Sequence, residues 1–74
     1  MEKKRFKQLI LPAKKAEPFQ PIEIELQDGD VLLVERREML MYGGKAAIFF
    51  RPNGEWEIFD HESVRAVRVP AATS

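Results

Sequence analysis

Asp60-His61-Glu62-Ser63 is the one place in the chain where an imidazole, carboxylates and a hydroxyl occur together, since His61 is the only histidine. A nucleophilic triad needs acid, imidazole and hydroxyl converging from separate elements, and a metal centre needs three or four converging ligands. Residues consecutive along a turn point apart, and with no cysteine the chain has no thiolate to contribute. The tetrapeptide therefore reads as a capped turn, with Asp60 accepting from the backbone N–H groups that follow it. Gly43-Gly44 lacks the spacing and the following Lys-Ser/Thr of a phosphate loop, so these are read as turn glycines. Catalysis, a metal, a cofactor and a small-molecule substrate are not expected.

Two other groupings point to recognition. Arg51 and Trp56, with Phe49 and Ile58, would form an exposed patch of the kind enriched at interface centres, Arg51 resting on the Trp56 ring. Against that stands the reading in which Trp56 only closes one end of the fold. The second grouping is the basic start of the chain. Residues 1–20 hold Lys3, Lys4, Arg5, Lys7, Lys14 and Lys15 against Glu2 and Glu17, whereas the rest is acidic and the net charge is zero. Such an arm could meet phosphate or an acidic surface, or be a solvated run.

The elements that would position these groups follow from patterning. Two apolar runs joined by Asn53-Gly54 predict a β-hairpin, and a type I′ turn with those two as loop residues pairs Arg51 with Trp56, Phe50 with Glu57, Phe49 with Ile58 and Ile48 with Phe59. Phe49, Arg51, Trp56 and Ile58 then share a face. Ile22, Ile24 and Leu26 alternate with Glu23 and Glu25, a strand buried on one side. Asp28-Gly29 supplies another two-residue turn, which pairs Leu26 with Val31 and Ile24 with Leu33 and buries all four. Residues 35–42 fit either a helix capped by Gly43 or a strand bent near Glu35–Glu38. The strand is preferred, with Met39 opposite Ile48 and Leu40 opposite Ala47. Residues 64–69 read as a last strand.

Ahead of Ile22, Phe6, Leu9 and Ile10 suit a short helix ending at Pro12 or a strand at 6–11. Three prolines between residues 12 and 21 suggest a linker. The expected organisation is a basic arm and Pro-rich linker at 1–21, a β-domain at 22–70 and a frayed tail at 71–74. Apolar runs of about five residues fall far short of the roughly twenty that cross a bilayer. No membrane association is expected, and the protein is read as cytoplasmic.

Five short strands with a bent second strand, a three-strand meander and a tight turn before the last make a mainly β protein, a small five-stranded SH3-like or Sm-like barrel with an extended basic N-terminal arm. IEIELQDGD and IFDHESVRAVRVP resemble the opening hairpin and final strands of Sm-like domains. The resemblance covers about fifty residues and implies ring assembly and RNA binding, although the second strand, VLLVERREM, lacks the glycine usual there. No binding residue is carried over. The expected function is a non-enzymatic accessory or regulatory module that binds another protein, or itself as a homodimer, through Phe49, Arg51, Trp56 and Ile58. The alternative is RNA or DNA binding through Lys3, Lys4, Arg5, Lys7, Lys14 and Lys15. The central hairpin carries aromatics on both sides, so one of the sets Phe49/Trp56/Ile58 or Ile48/Phe50/Phe59 is turned outward, and either the N-terminal arm or a second chain would cover that surplus apolar face.

Overall fold

A computed structural model describes residues 1–43 and 46–69. Among these residues six strands form two three-stranded antiparallel sheets, preceded by one α-helix. Strands β1 (Ile22–Leu26), β2 (Val31–Val34) and β6 (Val64–Arg68) make the first sheet in the order β2-β1-β6. Strands β3 (Leu40–Tyr42), β4 (Ala47–Phe50) and β5 (Trp56–Phe59) make the second in sequence order. A single 3-10 turn at Arg37–Met39 separates β2 from β3, so the ambiguous 35–42 segment is neither an α-helix nor one continuous strand: it holds that turn and then β3, which pairs in the other sheet. The turn expected at Gly43-Gly44 falls partly, and the tail at 71–74 wholly, outside the described residues.

Both hairpins depart from the expected register by one residue, for the same reason. A type I′ turn requires positive φ at both central residues, but among the described residues only Gly29 (φ 93°) and Gly54 (φ 94°) have it. In each hairpin three residues form the loop. Gly29 N–H donates to Leu26 O (3.0 Å) and Leu26 N–H to Asp30 O (2.8 Å), and likewise Gly54 N–H to Arg51 O (3.0 Å) and Arg51 N–H to Glu55 O (2.7 Å). The Asx side chain before each glycine fixes the exit. Asp28 Oδ1 accepts from Asp30 N–H at 2.9 Å, and Asn53 Oδ1 accepts from Glu55 N–H at 3.0 Å.

A one-residue slip reverses every side chain on the incoming strand. Ile24 lies opposite Leu32 and Ile22 opposite Val34. Leu32 and Val34 are therefore buried, and Val31 and Leu33, expected inside, are 45% and 44% exposed. In the second hairpin Phe50 pairs with Trp56, Phe49 with Glu57 and Ile48 with Ile58. β3 also pairs with β4 two residues from the expected register, with Leu40 opposite Phe49 and Met41 opposite Ile48, because the hairpin between them closes at Gly43, whose N–H donates to Ala46 O at 2.9 Å. Ile22, Ile24, Leu26, Leu32, Val34, Leu40, Ala47, Phe49, Phe59 and Val64 form one core between the sheets.

The N-terminal segment is not an extended arm. Lys3–Lys15 is a helix, α1, and its Phe6 and Ile10, one turn apart on one face, are 1% and 0% exposed within the same core. Phe6 meets Tyr42 and Phe59 edge-on at centroid distances of 5.6 and 6.3 Å, linking β3 to β5. A domain boundary at residue 21 therefore cuts through a shared core. The helix also passes through Pro12, where a stop was expected because proline removes an i→i−4 hydrogen bond. Its last turn is held from outside: Arg37 Nε donates to Lys14 O and Nη2 to Ala16 O, both at 2.8 Å. The Arg37 guanidinium also lies 5.4 Å from the Phe19 ring centroid, which docks the proline-rich segment on the body.

Candidate functional site

Alternation along β3, β4 and β5 sends Leu40, Ala47, Phe49 and Phe59 inward and leaves Met41, Ile48, Phe50, Trp56 and Ile58 on the outer face. These five are cross-strand neighbours, Met41 beside Ile48 beside Ile58 and Phe50 beside Trp56. Met41, Trp56 and Ile58 are 55%, 60% and 58% exposed, and Ile48 and Phe50 are half-buried. The face is apolar over three strands.

This arrangement divides the interface set expected from sequence. Trp56 and Ile58 are on the outer face, but Phe49 is 3% exposed in the core and cannot meet a partner. Arg51 does not rest on Trp56. Its guanidinium lies 5.5 Å from the Phe49 ring centroid, with Nη2 at 2.7 Å from Glu57 Oε1 and 3.8 Å from Asp30 Oδ2. The hydrogen bond that Arg51 donates to Glu57 is the main reason that the Arg51 pKa lies above its ordinary value, against a smaller opposing effect of burial. Met41, Ile48 and Phe50 lie outside the expected interface set, and the outward face draws on both of the alternative hairpin sets, Trp56 and Ile58 from one and Ile48 and Phe50 from the other. A three-residue loop at Pro52-Asn53-Gly54, with alternation run outward from it, would have found Ile48 and Phe50.

The first sheet carries charge on its outer side. Arg68 bridges Glu23 and Glu25 at 2.8 and 2.9 Å, and Arg65 reaches Glu25 at 3.3 Å. The Arg68 hydrogen bond, ahead of the Coulombic pull of Arg68 and Arg65, holds the Glu25 carboxyl below its ordinary pKa despite some burial.

At the 60–63 turn Asp60 Oδ1 accepts from Glu62 N–H (3.1 Å), Ser63 N–H (3.3 Å) and the Ser63 hydroxyl (3.4 Å). This is the capped turn expected from sequence. His61 faces elsewhere, its Nδ1 lying 2.9 Å from Met1 O. Among the described residues no three His, Cys, Asp or Glu side chains are grouped to hold a metal ion, and no helix is long and apolar enough to cross a membrane.

The six basic residues of the start all lie on α1. Lys3, Lys4, Arg5, Lys7 and Lys15 belong to its solvent side and Lys14 to its last turn; Lys3, Lys4, Arg5 and Lys7 are exposed, and Lys14 is half-buried. Comparison with family models, with characterised proteins and with solved structures returns no match.

Proposed function

We propose that this chain is a non-enzymatic protein-interaction module, a cytoplasmic accessory or regulatory subunit, which works through the outer face of β3-β4-β5. The observation that carries the reading is the contiguous set Met41, Ile48, Phe50, Trp56 and Ile58, three of them more than half exposed. Apolar patches of this kind on soluble proteins mark interaction surfaces, and aromatic residues dominate the energetics of such surfaces. A second copy is the first occupant to consider. The five positions bring no like charges together when two copies stack, and a two-fold dimer is the commonest closed assembly.

The fold reading that goes with this is a small SH3-like or Sm-like barrel. β2 and β3 would be the halves of one bent strand broken at Arg37–Met39, β3-β4-β5 the meander, and 61–63 the tight turn before β6, which returns to pair with β1.

Light scattering across a concentration series tests the function. The wild type should move from monomer toward dimer as concentration rises, and W56E/I58K should remain monomeric at every concentration with an unchanged circular dichroism spectrum. A wild type that stays monomeric throughout removes the second copy as occupant. A double variant that associates as the wild type does removes this face from the proposal.

A further inference from the structure

Most cations of the described residues fall into two groups; the exposed Arg36, on the body and without an ion pair, belongs to neither. Arg37, Arg51, Arg65 and Arg68, all on the body, each hold a carboxylate within 4 Å. Lys3, Lys4, Arg5, Lys7, Lys14 and Lys15 make no ion pair among the described residues, so the acidic body does not neutralise the helix that carries them. At 3.6 residues per turn, with Phe6 and Ile10 facing the core, Lys3, Lys7 and Lys14 fall along one flank of α1, Lys4 and Lys15 point away from the core, and Arg5 falls on the opposite flank. The six positive charges spread round the solvent side of a 13-residue helix, four within residues 3–7 and two at 14–15, along a strip about 20 Å long.

Three kinds of partner could meet such a strip, and the fold decides among them. An anionic membrane binds basic amphipathic helices by taking up their apolar side. Here that side is occupied, because Phe6 and Ile10 are 1% and 0% exposed in the core. An acidic protein segment would need its carboxylates matched to individual lysines. A nucleic acid needs no such match, since one strand presents a phosphate about every 3.4 Å, or about six over the length of this strip. The cleft at the C-terminal end of α1 adds an aromatic: Tyr42 lines it with Leu11, Lys14, Lys15 and Arg37, although Glu17 there is already paired with Arg37 at 3.1 Å. The zero net charge of the chain means that attraction to a polyanion has to come from this strip and not from the protein as a whole.

We infer that the outer side of α1 is a sequence-independent nucleic-acid contact, in which Lys3, Lys4, Arg5, Lys7, Lys14 and Lys15 neutralise backbone phosphates. It is a surface separate from the apolar sheet face.

The test is fluorescence anisotropy of the full chain with a labelled DNA duplex of about 20 base pairs and arbitrary sequence. Between about 50 and 200 mM salt the affinity should fall by roughly a hundredfold or more, as four or more phosphate contacts require. K4Q/K7Q/K15Q removes three cations and should flatten the slope of log affinity against log salt by about 2.7, with the circular dichroism spectrum unchanged. W56E/I58K should bind DNA as the wild type does, so the failure of either surface is seen independently of the other. Equal affinities and slopes for K4Q/K7Q/K15Q and wild type would overturn the inference. So would polyglutamate, or vesicles with anionic headgroups, competing for the chain as well as DNA does per unit charge.

Discussion

The guanidinium of Arg37 closes the C-terminal end of α1, its Nε donating to the carbonyl oxygen of Lys14 at 2.8 Å across 23 positions of sequence. The last carbonyls of a helix have no partner within it, and a cation there also opposes the negative end of the macrodipole. Nη2 of the same group reaches Ala16 O at 2.8 Å and Glu17 Oε1 at 3.1 Å, so one planar fork spans three acceptors. Arg37→Ala should lower unfolding stability by about 1 to 2 kcal/mol, and Arg37→Lys should restore less than half of that, because an ammonium cannot reproduce the fork. Urea melts measure the first effect. Amide exchange at Lys14 and Lys15 locates it, and protection that survives in the alanine variant would show that the helix end is held by something else.

The two hairpin loops should respond alike to mutation. Gly29 and Gly54 have φ of 93° and 94°, and a Cβ added at either would meet nothing within 4 Å, so the obstacle to a side chain there is backbone conformation and not space. Gly29→Val and Gly54→Val should each cost more than about 1 kcal/mol. Asp28→Ala and Asn53→Ala should each cost about 0.5 to 1.5 kcal/mol through loss of the exit hydrogen bond. Denaturant midpoints that do not move for either glycine would remove the three-residue loop from the account.

Phe6 belongs to the core as fully as any strand residue does. Phe6→Ala should cost about 3 to 5 kcal/mol, a large part of the roughly 4 to 11 kcal/mol that a domain of this length possesses. Removing residues 1–16 deletes both Phe6 and Ile10 and should abolish cooperative unfolding. Thermal and urea transitions monitored together check this, and a truncated chain that still melts sharply would show that the sheets close without the helix.

Acid sensitivity should trace to Glu25. Its pKa is lowered in the folded state from an ordinary value of 4.5, chiefly by the Arg68 hydrogen bond. A depressed carboxylate pKa stabilises the folded protein above the unfolded value, and that contribution is lost as pH falls through the folded value. The wild type should therefore lose urea resistance below about pH 4.5, and Glu25→Gln should lose less of it over the same range while starting from a lower plateau. Parallel pH profiles for the two proteins would place the sensitivity elsewhere.

Local chemistry in the chain was enough to determine that there are turns at Asp28-Gly29 and Asn53-Gly54, strands either side of each, a capped turn at Asp60 and a Val-rich strand after it. Each of these depends on residues within a few positions of one another, so sequence alone carries the signal. Register does not work that way. Two-residue and three-residue loops use the same Asx-Gly pair, and they differ by one residue in what faces the core. That single step moved Phe49 inward, brought Phe50 beside Trp56, and turned Arg51 toward Glu57 and away from the tryptophan. Tertiary structure also decided the fate of the N-terminal segment. Its lysines suggested a solvated arm and Pro12 a helix stop, but burial of Phe6 and Ile10 and the cap from Arg37 depend on residues some 20 to 50 positions away, which no local pattern encodes.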